Sequence, residues 1–215
     1  MKKVFMMALL ALSFNANAVN VSAEEFVKLL QSCLDERNQT ACQTLIDNSL
    51  LSSVKECDRH TCNNIGWIYD YVKQPKQAVL YYQKSCEKFS NPNACSNLGN
   101  SYYMGSGVKQ DVLKASRYLK TACDANHPAA CRNLGALYYE GKGVGRSFAN
   151  ARKYHEKACG LNKAASCFYT GVLYYNGQGV RQNKTIAKEY AGKACDLGNQ
   201  DGCDFYRELN EQGVR

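Results

Sequence analysis

Cysteine recurs through this chain of 215 residues at a fixed interval. Cys95, Cys131, Cys167 and Cys203 stand 36 residues apart. Cys123, Cys159 and Cys195 keep the same interval in a second register, from which Cys86 departs by one residue. Self-similarity at a period of about 20–50 residues marks stacked supersecondary units, each too small to bury its own apolar face and dependent on its neighbours to do so.

Aligning the segments on this period gives a helix hairpin. The first helix reads Cys95-Ser-Asn-Leu-Gly-Asn-Ser-Tyr-Tyr-Met-Gly105, Cys131-Arg-Asn-Leu-Gly-Ala-Leu-Tyr-Tyr-Glu-Gly141 and Cys167-Phe-Tyr-Thr-Gly-Val-Leu-Tyr-Tyr-Asn-Gly177. Leu134, Leu137 and Tyr138 fall at i, i+3 and i+4, one helical face. Pro92 and Pro128 stand where such a helix begins, and proline suits a first turn. A Gly-x-Gly-Val turn follows at Gly105, Gly141 and Gly177; its first glycine fits a left-handed helix cap, and the pair permits a sharp reversal. A phosphate cradle of this type would need a preceding strand, and none is present. Second helices then run over Asp111–Asp124, Ser147–Gly160 and Asn183–Asp196, each opened by an N-cap residue type. Their core faces carry Ala115, Leu119, Ala122 and Cys123, then Ala151, His155, Ala158 and Cys159, then Ala187, Ala191, Ala194 and Cys195. Small residues at this spacing let two helices approach closely.

The N-terminal part follows the pattern loosely. Ser22-Ala-Glu-Glu25 resembles a capping box opening a helix that ends at Cys33. Thr40–Asn48 reads as a first helix and Leu50–Cys57 as a short second one. Cys62 opens another first helix, but its glycine turn is missing: Cys62 to Cys86 spans 24 residues where the later units span 28, and Pro75 starts the next helix directly. At the far end Gln200–Gln212 is a last first helix, with Arg207 in the glycine position, as a solvent-facing cap permits. The expected fold is all-α, an α/α superhelix of stapled hairpins. Its divisions are residues 1–18, a degenerate cap over 19–60, and repeats over 61–213 (61–92, 93–128, 129–164, 165–200 and a capping helix 200–212).

Twelve cysteines admit on the order of ten thousand pairings, which counting alone cannot resolve. The hairpin does so. Cys123 closes a second helix, Cys131 lies in the first turn of the next, and the short reversal between them places the two Cα atoms within disulfide range. The predicted bonds are therefore Cys33–Cys42, Cys57–Cys62, Cys86–Cys95, Cys123–Cys131, Cys159–Cys167 and Cys195–Cys203. Cys57-Asp-Arg-His60-Thr-Cys62 has a competing metal or haem reading. It is neither Cys-x-x-Cys nor Cys-x-x-Cys-His, and the other histidines, His127 and His155, lie in other repeats. No metal site or other cofactor is expected.

The N-terminus fits the same compartment. Lys2 and Lys3 precede an apolar stretch from Val4 to Phe14, and Ala16-Asn17-Ala18 is a small-x-small cleavage site, the make-up of a secretory signal. No second apolar run is long enough to span a membrane. A periplasmic or secreted chain starting near Val19 is expected, where disulfides persist. The formal charge of +8, or +6 without Lys2 and Lys3, is spread with no basic run longer than two, which argues against nucleic acid and for weak preference toward anionic partners.

The run Ala-Cys-x-Asn-Leu-Gly-x-Leu-Tyr-Tyr-x-Gly-x-Gly-Val, followed by Ala-x-x-Tyr-x-x-Lys-Ala-Cys, resembles the Sel-one-like repeat, a relative of the tetratricopeptide repeat. Its cysteines at both small-residue contacts resemble the Helicobacter cysteine-rich protein family. The resemblance covers residues 60–213 strongly and 22–58 weakly. It implies a right-handed superhelix of helix pairs, one disulfide per repeat, secretion and, for some members, penicillin binding with slow β-lactamase activity.

The residues themselves support catalysis poorly. Ser52-Ser-Val-Lys55 and Ser85-Cys-Glu-Lys88 match Ser-x-x-Lys, but the chain lacks the companion Ser-Asp-Asn and Lys-Thr-Gly elements, and Ser85 adjoins a stapled cysteine. Three dispersed histidines do not make a metallo-hydrolase centre. Binding has better support. Positions two after each repeat cysteine hold Asn64, Asn97, Asn133, Tyr169 and Phe205; positions eight after hold Asp70, Tyr103, Tyr139 and Tyr175. On the first helices, which line the concave face of such a superhelix, Asn64, Asn97 and Asn133 would clamp a peptide backbone, and Tyr103, Tyr139 and Tyr175 would supply apolar area at low entropic cost. The expected function is binding of a peptide, protein or cell-wall-type ligand by a monomer. The partner would be an envelope or host-surface peptide or protein. β-Lactam hydrolysis, acting on a β-lactam or peptidoglycan fragment, is the alternative the resemblance implies, and a haem or metal carrier is the weaker one.

Overall fold

The computed structural model describes residues 23–47 and 57–214. Among these residues there are eleven α-helices and no strand: α1 (Ala23–Asp35), α2 (Gln39–Asp47), α3 (Arg59–Tyr71), α4 (Pro75–Phe89), α5 (Pro92–Met104), α6 (Val112–Asp124), α7 (Pro128–Glu140), α8 (Phe148–Gly160), α9 (Ala164–Asn176), α10 (Lys184–Asp196) and α11 (Gln200–Glu211). The signal-like segment, the Ser22 cap, Ser52-x-x-Lys55 and nearly all of the expected helix at Leu50–Cys57 lie outside the described residues; Cys57 itself is not helical.

Sequence-local chemistry sets the helix ends. Asp111, Ser147 and Asn183 cap α6, α8 and α10 by accepting from the backbone N–H of Lys114, Asn150 and Ile186. Pro75, Pro92 and Pro128 occupy first turns, and Gly105, Gly141 and Gly177 end α5, α7 and α9 in the left-handed region. Ser90, Asn126, Asn162 and Gly198, again 36 residues apart, all have positive φ. They turn the chain from a second helix into the next first helix, and asparagine and glycine tolerate that conformation best.

The chain forms two compact units, Met1–Gln110 and Asp111–Arg215. In the N-terminal unit α1, α2 and α3 pack together, α3 pairs with α4, and α4 with α5. Phe26, Leu30, Leu45, Ile65, Ile68, Tyr82 and Leu98 are its buried large side chains. In the C-terminal unit each helix from α6 to α11 packs on its successor, around Leu119, Leu134, Leu173, Leu209 and the alanine column of the second helices.

All six predicted disulfides are present. Their Cα–Cα distances run from 4.4 Å at Cys195–Cys203 to 5.2 Å at Cys57–Cys62; Cys57–Cys62 ties the segment before α3 to its first turn, and each of the other five ties one helix to the start of the next.

The second glycine of each turn has a task of its own. A Cβ on Gly107 would lie 2.3 Å from the Pro75 carbonyl oxygen, one on Gly143 2.4 Å from the Val112 Cβ, and one on Gly179 2.3 Å from the Ala149 backbone nitrogen. Pro75, Val112 and Ala149 sit in the first turn of the preceding second helix. These glycines therefore press the turn of one hairpin onto the helix start of the hairpin before it.

Candidate functional site

In α7, Cys131, Leu134, Gly135 and Leu137 are buried against neighbouring helices. Arg132, Ala136 and Tyr139, at i, i+4 and i+7, share another face. The following first helix, α9, brings Ala165 and Tyr169 to the same place. With Glu140, and with His155 of α8 behind them, these residues line a cavity of about 380 Å³. Tyr169 is 43 % exposed.

Two aromatic columns meet here. Tyr139, eight after its cysteine, lies 6.4 Å ring to ring from Tyr169, two after the next cysteine. Tyr175 lies edge-on to Phe205 at 5.4 Å in the same relation one repeat later. Tyr139 is also edge-on to Phe148 at 5.4 Å, and the Lys184 ammonium stands 5.2 Å over the Tyr175 ring. The tyrosines thus pack between repeats while staying partly open to solvent. The neighbouring column, Tyr138 and Tyr174, turns away and stacks on Tyr154 and Tyr190 of the second helices.

The asparagines are engaged locally. Asn133 accepts hydrogen bonds from Nε and Nη2 of Arg132 at 3.3 and 3.2 Å. In the N-terminal unit the Asn97 amide donates to Asn63 at 3.4 Å, and Asn64 and Tyr103 are half-buried.

His155 is 1 % exposed. Its ring lies over Gly135, where a Cβ would come within 3.0 Å of three ring atoms, and stacks on Tyr169 at 5.2 Å. Burial, reinforced by the Arg132 charge, holds its pKa down at about 4, so the imidazole is neutral at pH 7. Its Nδ1 stands 3.4 Å from the Ser166 hydroxyl. Ser166 is fully buried, so the pair works as a packing and hydrogen-bonding unit, not as nucleophile and base.

The other chemical candidates are also structural. The Ser85 hydroxyl is buried and donates to the Arg59 carbonyl at 2.7 Å, while Lys88 lies over the Phe89 ring. His60 is exposed beside the Cys57–Cys62 bond. His127 caps α7, its Nδ1 accepting from the Ala130 N–H at 3.2 Å, and burial, with Lys163 nearby, lowers its pKa. Among the described residues no three of His, Cys, Asp and Glu gather in a group able to hold a metal ion. A second cavity, about 490 Å³, opens in the N-terminal unit beside the shortened α3–α4 junction. Trp67, stacked on Tyr71 at 5.0 Å, lies there with Asp70, Lys73 and Ser106.

Sequence reasoning assigned the Asn133 and Tyr139 columns to neighbouring faces of the first helices but missed Arg132 and His155 as partners in a cavity. Neither recurs with the repeat, so the period that reveals the other positions hides these two.

The family model of the Sel1 repeat matches residues 62–88, 92–127, 128–163 and 164–199, more than half the chain. Among solved structures, a Sel1 repeat protein from Oxalobacter formigenes is similar at 25 % identity with a TM-score of 0.66, over 82 % of this chain and 76 % of that one. The c5321 protein, a protective antigen of uropathogenic Escherichia coli strains displaying an SLR fold, is similar at 25 % identity with a TM-score of 0.74; the match covers 89 % of this chain but 41 % of the antigen. Cysteine rich protein B of Helicobacter pylori shares 36 % identity over 62 % of this chain and 96 % of its own, with a TM-score of 0.49. No curated protein matches.

Proposed function

The chain belongs to the Sel1 repeat family, and on that premise we propose that it is an extracytoplasmic binding scaffold that takes an extended peptide or protein segment on the exposed face of its first helices. Sel1 repeats are in general scaffolds for protein–protein interaction. The observation that carries the reading is the aromatic face of the C-terminal unit, where Tyr139 meets Tyr169 and Tyr175 meets Phe205 with their edges left open. Aromatic rings with few torsions give contact area at small entropic cost, as in other peptide-binding surfaces. In the N-terminal unit Asn64, Asn97 and Tyr103 are the corresponding positions.

Location supports the same reading. Six disulfides are consistent with an oxidising compartment, and no helix among the described residues is long and apolar enough to cross a membrane. We place the protein in the periplasm or outside the cell, after cleavage near Ala18, with envelope or host-surface proteins as the partners within reach.

The test is capture of an immobilised library of capped hexapeptides by the intact, disulfide-bonded chain. Tyr139→Ser with Tyr175→Ser is expected to lower capture at least about tenfold, since each ring contributes roughly a kcal/mol. Full capture by a variant of native helix content would refute the reading.

A further inference from the structure

The face proposed to bind peptides is not uniform. At the junction of α9 and α11 it is filled: Phe168 meets Phe205 at 6.0 Å. At the junction of α7 and α9 the equivalent of Phe168 is Arg132 and the lining includes the small Ala136 and Ala165, so a cavity of about 380 Å³ stays open. The polar character of that cavity is one-sided. Glu140 is its only carboxylate, and Lys142 pairs with it at 2.7 Å. Arg132 enters no ion pair among the described residues; its Nε and Nη2 reach only the amide oxygen of Asn133, which fixes the direction of the guanidinium. The surroundings have the same sign. Residues 111–199 hold fourteen Lys or Arg against six Asp or Glu, a surplus equal to that of the whole chain.

We propose that this cavity is a specificity pocket for an acidic side chain: the Arg132 guanidinium binds the carboxylate of a glutamate or aspartate in an extended peptide, between the rings of Tyr139 and Tyr169. The proposal rests on the peptide-binding reading above. A guanidinium offers a carboxylate two parallel N–H donors, which a lysine or an amide side chain cannot match. Asn133 is then a positioning residue that holds Arg132, not a clamp on the peptide backbone. The small side chains of Ala136 and Ala165 leave the room. His155 closes the back of the pocket as a neutral ring, packed between Gly135 and Tyr169 with Ser166 on its Nδ1.

The same peptide library tests it. Members with a central Glu or Asp should be captured at least about tenfold more than their Gln or Asn counterparts, as a charge-assisted bond requires. That preference should shrink in 0.5 M NaCl and vanish in Arg132→Gln, an exposed position where the fold is not at stake. Arg117→Gln, the same charge change on α6 outside the pocket, should keep it. A second readout is the His155 ring in nuclear magnetic resonance. Arg132 is the charged group that lowers its pKa, so a carboxylate on Arg132 should move that pKa upward, and the matched Gln peptide should not. Capture without carboxylate preference, or a preference that survives Arg132→Gln, overturns the pocket and leaves the peptide reading standing. A His155 response to sodium acetate equal to that of the Glu peptide at the same concentration overturns the peptide as occupant. Absence of capture by any library member overturns both.

Discussion

His155 fills, within its hairpin, the place over the first-helix glycine that Tyr82 takes over Gly66; one repeat later the backbone of Ala187 and Ala191 comes close to Gly171 instead. A basic ring buried in this place has a thermodynamic consequence. Its pKa is about 4 in the fold against 6.5 in the unfolded chain, because burial and then the Arg132 charge disfavour the cation. Above pH 6.5 the ring is neutral in both states. As pH falls below 6.5 the unfolded chain takes up a proton that the fold refuses until about pH 4, so stability is lost across that window and not further below it. The loss from this one residue is about 3 kcal/mol. His127 titrates in the same direction, so the comparison must be with His155→Leu. Urea unfolding of the oxidised protein at pH 7.5 and pH 4 should show a smaller drop for the variant by about that amount. The variant also strips the Ser166 hydroxyl of its partner, a cost of about 1 kcal/mol at every pH. The slope therefore decides, and parallel pH profiles would show that His155 is not the refused proton.

Hairpin turns show why some of the structure was legible in the chain and some was not. The caps Asp111, Ser147 and Asn183 and the turn glycines Gly105, Gly141 and Gly177 act on residues within a few positions of themselves, so residue type and spacing were enough to place them. The disulfides are equally local, joining cysteines five to nine residues apart. Gly107, Gly143 and Gly179 were expected only to allow reversal. Their close approach to a helix about thirty residues upstream is a contact between distant segments, which no local signal announces. The partner of Asn133 was hidden for a related reason: a repeat shows which positions are equivalent, but not that Arg132, which does not recur, donates to the Asn133 oxygen. A direct check lies in Gly179→Ala. The new Cβ meets backbone atoms of Phe148 and Ala149 at 2.4 and 2.3 Å, and φ is +69°, so contact and conformation both oppose it. The expected loss is about 2–3 kcal/mol. Gly145→Ala, with nothing within 4 Å, should stay within about 0.5 kcal/mol of the parent. Equal unfolding midpoints for the two variants would remove the proposed role of the second glycine.

The whole chain divides at Gln110/Asp111, and the C-terminal unit contains what a solenoid fragment needs to stand alone. Repeat arrays are held by nearest-neighbour contacts, and their ends need a polar outer face. In α11 a polar face is present: Arg207, where α3, α5, α7 and α9 carry glycine, is exposed and pairs with Asp204 at 2.9 Å. Gly202 of α11 in turn lies against Ala194, where a Cβ would come within 2.5 Å, so α11 seats closely on α10. Three disulfides, Cys123–Cys131, Cys159–Cys167 and Cys195–Cys203, close entirely within the unit. Each removes loop entropy from the unfolded chain worth about 2–3 kcal/mol, a large contribution for a domain of about a hundred residues. Residues 111–215 produced alone in an oxidising compartment should therefore form all three bonds, leave no titratable thiol, and melt cooperatively with a helical circular dichroism spectrum. The fragment also contains Arg132, Asn133, Tyr139, Tyr169 and Tyr175, so it should retain the carboxylate preference of the full chain. A fragment with free thiols or a gradual, non-cooperative melt would mean that the unit depends on the N-terminal repeats for its fold. A folded fragment without the preference would move the binding surface out of the C-terminal repeats.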